Sequence, residues 1–84
     1  MQVSVDLSLY PLAERYVPVI IDLIHRLEQH AGIEVQRTAL STQLFGDYDA
    51  VMAVLATELR RTWEEHGRAV LVAKFALGDV RDGG

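Results

Sequence analysis

The chain has 84 residues, half of them apolar, and no cysteine; its formal net charge is −4. A single core uses up most of a chain this short, and the apolar content rules out intrinsic disorder. The absence of cysteine excludes disulfides, thiolate metal sites and cysteine nucleophiles, and the excess of 12 acids over 8 Lys and Arg argues against nucleic-acid binding, which relies on a basic stripe.

Val3, Val5, Leu7 and Leu9 alternate with Ser4, Asp6, Ser8 and Tyr10, the period-two pattern of a half-buried strand. Pro11 cannot continue a ladder and ends it. Asp6 interrupts this first apolar run and no cationic region precedes it, so a signal peptide is not expected. Nor does any run approach the ~20 apolar residues that span a bilayer, so no membrane insertion is expected either. The expected location is the cytoplasm.

The period then changes. Val17, Ile20, Ile21, Ile24 and Leu27 recur at helical spacing, with Asp22, Arg26 and Glu28 elsewhere on the wheel. Pro18 fits only the first turn, so the helix starts between 14 and 18. It should end at His30-Ala31-Gly32, with Gly32 as a left-handed cap. Ile33 to Thr38 alternates as a second strand; a tight connection near Thr38–Leu40 leads into a third, Leu40 to Phe45, which Gly46 breaks. Asp47 suits an N-cap and Asp49 the positive end of the helix dipole. Val51, Met52, Leu55, Leu59 and Trp63 form a second helical stripe, closed by His66-Gly67. Ala69 to Leu77 reads as the fourth strand, and residues 80–84 as a loose tail.

Strand-helix-strand-strand-helix-strand is the order of a ferredoxin-like α+β sandwich, here a single domain over residues 1–84. Right-handed crossovers put the first and third strands at the centre of a four-stranded antiparallel sheet, with both helices on one face. The open face should show Ser4, Asp6 and Ser8 and, by the same parity, Glu34, Gln36, Ser41, Gln43, Phe45 and Lys74. A face of that composition is solvated, bound to a ligand, or packed on another copy.

Ser8-Leu9-Tyr10-Pro11-Leu12 ends the first strand, and Ser41-Thr42-Gln43-Leu44-Phe45-Gly46-Asp47 covers the third. If these strands run antiparallel as neighbours, the hydroxyls of Ser8, Tyr10, Ser41 and Thr42 gather around one spot. Asp47 is first a helix cap and second a candidate ligand contact. Asp6 is solvated, paired with Lys74 across the sheet, or turned to a ligand. Tyr10, Phe45 and Tyr48 are candidates for an aromatic wall, although Tyr10 beside Pro11 equally suits sealing the core. Trp63 belongs to the core or to an interface. His30 and His66 sit where a helix C-terminus favours a cation, and His25 has no partner at metal spacing, so no metal site is expected.

These two strings, with Val3-Ser4-Val5 before them, Tyr48-Asp49 after them and Val72-Ala73-Lys74-Phe75 later, resemble the YkoF-like thiamine/hydroxymethylpyrimidine-binding family. The chain is also similar to the related single-domain thiamine-binding family, whose first strand likewise ends in Pro-Leu. The resemblance covers nearly the whole chain. It implies a ferredoxin-like fold, binding of thiamine or its pyrimidine precursor without catalysis or a resident cofactor, and assembly of domains in pairs. YkoF-like members carry two such domains in tandem and this chain carries one, so a homodimer is expected to replace that pairing, and the expected assembly is a homodimer or tetramer.

A 4-aminopyrimidine offers an amine donor and two ring-nitrogen acceptors. It calls for hydroxyl, carbonyl or carboxylate partners and an apolar wall. On this reading Ser8, Tyr10, Ser41, Thr42 and Asp47 supply polar contacts, with Asp6 and Lys74 as further candidates. An acylphosphatase-like hydrolase is disfavoured, because Pro11-Leu12-Ala13-Glu14 stands where a glycine-rich phosphate loop would follow the first strand. The rival reading is an interaction module that oligomerises through its open sheet face and needs no small molecule.

Overall fold

The computed structural model describes residues 1–82. Six elements follow in chain order: β1 (Gln2–Pro11), α1 (Tyr16–Glu28), β2 (Ile33–Arg37), β3 (Thr42–Asp47), α2 (Tyr48–His66) and β4 (Ala69–Leu77). The strands form one antiparallel sheet in the order β2-β3-β1-β4, which makes the fold ferredoxin-like, with β1 and β3 central.

Register follows from the alternation in β1. Val5 opposes Leu44 on one side and Phe75 on the other, while Asp6 opposes Gln43 and Lys74. A slip of one residue would turn Val3, Val5, Leu7 and Leu9 out of the core, where all four are buried. Against them pack Val19, Leu23 and Leu27 of α1 and Val51, Val54 and Leu55 of α2.

Both helical stripes are rotated from the sequence expectation. Val17 and Ile21 are exposed, while Val19 and Leu23 take the inward places; Met52 and Trp63 are exposed, while Val54 is buried. The rotation of α2 turns two polar residues inward, Glu58 and Thr62, both fully buried. They meet Arg26 of α1, which donates from Nη2 to Thr62 Oγ1 at 2.5 Å and lies 3.7 Å from Glu58 through Nε. The helices therefore pack through a polar seam as well as an aliphatic one.

Three boundaries differ from expectation. The α1 C-cap is Gln29 in a right-handed conformation, not a left-handed Gly32. The third strand starts at Thr42 rather than Leu40, because Thr38 closes a tight turn: its N–H donates to Ser41 O at 2.9 Å and its Oγ1 accepts from Ser41 N–H at 3.0 Å. Gly46 does not break that strand; it pairs with both Val3 and Ile33. A Cβ there would lie 3.2 Å from Gly32 O and 3.4 Å from Val51 Cγ2, so Gly46 permits the close approach of α2 to the sheet.

The C-terminal segment is the largest departure. From Gly78 the chain turns back across the sheet instead of trailing away, its φ of 85° being open to glycine without strain. Ser4 Oγ donates to Gly78 O at 2.8 Å and accepts from Val80 N–H at 3.0 Å. Arg81 stacks on the Phe45 ring at 3.8 Å and pairs with Glu34 of β2 and Asp79. Residues 78–82 thus form a strap, and beneath it Ser4 and Phe45 are only 5% and 4% exposed rather than open to solvent. The final two residues of the expected tail, 83 and 84, lie outside the described residues.

Candidate functional site

At the opposite end of the sheet from the strap, β1 outruns its neighbour. Its pairing with β3 stops at Leu7–Thr42, whereas its pairing with β4 continues to Pro11–Ala69. The gap beside Ser8–Pro11 is roofed by α1 and closed laterally by the 38–41 turn. It forms a cavity of about 530 Å³, within the roughly 300–1,000 Å³ of small-molecule sites.

Aliphatic side chains dominate the lining, from Leu7 and Leu9 on the sheet to Ile20, Leu23 and Ile24 on the helix. The polar groups are few: Ser8, Tyr10, Ser41 and Thr42, with Thr38, Tyr16 and Arg37. All four hydroxyl residues expected to gather do line this one cavity. They reach it from different directions. Ser8 and Tyr10 share the face away from the helices, whereas Thr42 opposes Leu7 on the helix face and is 5% exposed. The cavity touches both sets because it lies beyond the end of β3, where the two faces meet.

The backbone adds a donor and an acceptor. Successive β1 residues turn their N–H and C=O groups alternately to β4 and β3. Gly78 N–H donates to Gln2 O and Leu12 N–H to Arg68 O, so the even positions serve β4; Tyr48 N–H donates to Met1 O, so the odd ones serve β3. The N–H and C=O of Leu9 therefore point into the gap, past the last β3 partner.

Asp6 stands at the rim. Its Oδ1 accepts from Ser41 Oγ at 2.6 Å and from Gln43 Nε2 at 3.5 Å. Lys74 is its register partner on β4, yet among the described residues the two form no ion pair, which corrects one of the readings of Asp6. Arg37 is held away by Glu28, at 2.7 Å through Nη2. That bond keeps the Glu28 carboxyl below its ordinary pKa and raises that of Arg37.

Asp47 does not converge with the hydroxyls. It ends β3 at the far side, five residues or about 16 Å along the strand from Thr42. There it caps α2, accepting from Asp49 N–H at 3.2 Å, and takes the N-terminal ammonium of Met1 at 3.2 Å. The ammonium bond and those N–H groups hold its carboxyl below the usual range. Phe45 and Tyr48 are likewise at that end, Phe45 under Arg81, so neither walls the cavity. Tyr16 does, and sequence reasoning missed it, as it missed Arg37 and Thr38. The cue for Tyr16 was its place in the first turn beside Pro18, opposite the end of β1.

Elsewhere, Asp22, Glu65 and His66 bring ligand-type atoms within 4.8 Å of one another. They are already engaged: His66 Nε2 lies 2.8 Å from Asp22 Oδ2, and Arg26 and Arg61 flank the two carboxylates. Together with the His30 Nε2–Glu58 Oε2 contact of 2.7 Å, this is a helix-to-helix charge network rather than an open coordination site.

The chain matches the YkoF-related family over residues 2–79. Nothing among curated proteins matches it. Among solved structures it is similar to a protein of Streptococcus pneumoniae, at 24% identity and a TM-score of 0.86, covering 99% of this chain and 93% of that one. A protein from Thermotoga maritima, provisionally named for thiamine biosynthesis or salvage, aligns at 20% identity and TM-score 0.83, covering 93% and 85%. A hypothetical protein of Methanocaldococcus aligns at 19% and 0.79, covering 93% and 81%. At these identities the structural likenesses speak for the fold alone.

Proposed function

The chain belongs to the YkoF-related family, and from that premise we propose that it is a non-catalytic binding protein for thiamine or its hydroxymethylpyrimidine moiety, held in the cavity between α1 and the end of β1. The observation that carries this reading is the composition of that cavity: an aliphatic slot with a few hydroxyls in its lining and the unpaired N–H and C=O of Leu9 in its wall. A strand residue that presents both groups to one side complements an aminopyrimidine edge, whose ring nitrogen accepts and whose amine donates. Ser8, Ser41 and Thr42 add adaptable hydroxyls, and Tyr10 and Tyr16 offer ring faces for a flat or cationic ligand. The name of the Thermotoga maritima protein points to the same chemistry.

Binding is favoured over catalysis by the same lining. The lining holds no histidine, carboxylate or lysine, and its one guanidinium, Arg37, is tied to Glu28. Asp47 and Lys74 are outside the proposed contact set. Removing one hydrogen bond to a buried ligand weakens binding by about 1–1.5 kcal/mol, or roughly five- to tenfold. Thr42→Val and Ser41→Ala should each lower thiamine affinity by that factor in calorimetric titration, while Asp47→Ala leaves it unchanged. The reverse pattern would move the site to the far end of β3.

A further inference from the structure

A hydroxyl by itself can donate or accept, but the Ser41 hydroxyl at the cavity has its proton committed. Ser41 Oγ donates to Asp6 Oδ1 at 2.6 Å, a short, charge-assisted bond, and a carboxylate has no proton to give in return. Gln43 Nε2 donates to the same oxygen at 3.5 Å, and Lys74 is the register partner of Asp6 on β4. The groups beside this carboxylate on both neighbouring strands are therefore donors or cations. The other hydroxyl within reach of Ser41 Oγ is Thr38 Oγ1 at 3.2 Å. It accepts from the N–H groups of Leu40 and Ser41 and donates to Ser41 O at 3.1 Å. Ser41 Oγ thus meets the cavity with lone pairs only.

Leu9 carries no such sense. Its N–H and C=O fit the edge of an aminopyrimidine, whose ring nitrogen accepts and whose amine donates. With the ring turned over they also fit the edge of a 4-oxopyrimidine, whose ring N–H donates and whose carbonyl accepts. The amine differs in having two hydrogens. With one on the Leu9 carbonyl, the other needs a second acceptor. The first residue of the chain past the β1–β3 pairing is Ser41, alongside Ser8 and next to Leu9.

We propose that Asp6 is a positioning residue that fixes Ser41 as an acceptor and so makes the cavity select a 4-amino over a 4-oxo pyrimidine. This rests on the pyrimidine reading of the cavity. Asp6 acts through Ser41 and need not touch the ligand. A 4-oxo ring held in the amino orientation sets lone pair against lone pair at Ser41, and one turned over to suit Leu9 leaves Ser41 without a donor. A site built around a donor rejects the analogue that lacks it.

Calorimetric titration of the full chain with thiamine, and with its 4-oxo analogue that differs only in that group, tests this. Wild type should prefer thiamine by at least roughly tenfold. Asp6→Ala frees the Ser41 proton and should bring the two affinities within about threefold, thiamine binding more weakly and the analogue more tightly than to wild type. Ser41→Ala should narrow the ratio as well, and adding Asp6→Ala to it should change the ratio no further. A wild type that binds both ligands equally overturns the assignment and leaves pyrimidine binding standing. So does an Asp6→Ala chain that weakens both alike and keeps the ratio, which is what a merely structural role would do. A wild type that binds neither overturns the pyrimidine reading along with it. If Asp6→Ala fails to fold by circular dichroism, an unchanged ratio in Ser41→Ala overturns the assignment and a narrowed one supports it.

Discussion

Glu58 shows how much one residue can set. Its side chain is 2% exposed, with Oε2 on His30 and Oε1 3.7 Å from Arg26 and 3.5 Å from Arg61. Among the described residues neither Arg26 Nη1 nor Glu58 Oε1 has a hydrogen-bond partner, so the pair is held by charge more than by geometry. Glu58→Ala would strand the buried guanidinium and should destabilise by about 3–5 kcal/mol in urea unfolding. Adding Arg26→Met should recover much of that loss, as a double-mutant cycle would show. Gly46→Ala is the steric counterpart: the new Cβ presses on backbone at Gly32 and should lower stability by about 1–3 kcal/mol. Neither residue was legible beforehand. Glu58 sits among Arg60, Arg61, Glu64 and Glu65 and reads as part of a solvated face, because a helical wheel cannot say how far a helix is rolled.

At the scale of elements, the strands were legible and the connections were not. Period-two alternation placed β1 over Val3–Tyr10, one residue short of Gln2–Pro11 at each end, and a continuous apolar run placed β4 at Ala69–Leu77. The same parity held at Thr42, which faces the helices between Ser41 and Gln43; what was missed is the start of β3 at Thr42 rather than Leu40, because the Thr38 turn is set by side-chain bonds to the backbone. So the four hydroxyls reach one cavity, but from two faces. The strap was missed for a different reason: Gly78-Asp79-Val80-Arg81 carries no periodicity, and its order comes from Ser4, Phe45 and Glu34 on three separate strands. Arg81→Ala should release it, with lower stability and greater protease access after β4. Ser4→Ala should act on the same contact by about 1 kcal/mol, and the two effects should be less than additive.

For the molecule as a whole, acid is the informative perturbation. Asp22 is held below the usual carboxylate range chiefly by its bond to His66, with Arg26 and Arg61 assisting; Glu28, Asp47 and Asp79 are lowered by Arg37, the N-terminal ammonium and Arg81 respectively. A carboxylate with a depressed folded-state pKa adds stability above its unfolded value and loses it as pH falls through the folded one. The urea midpoint should therefore be flat from about pH 7 to 5 and fall from about pH 4 downward. Asp22→Asn should lower the neutral-pH plateau and shallow that fall.

The central claim is that the cavity beside Leu9 recognises a pyrimidine. Calorimetric titration of the folded wild-type chain with thiamine, and separately with hydroxymethylpyrimidine, tests it most directly. The account predicts saturable binding of both, at one ligand per chain, because the ring common to them meets the strand edge. Heat from neither ligand would contradict it.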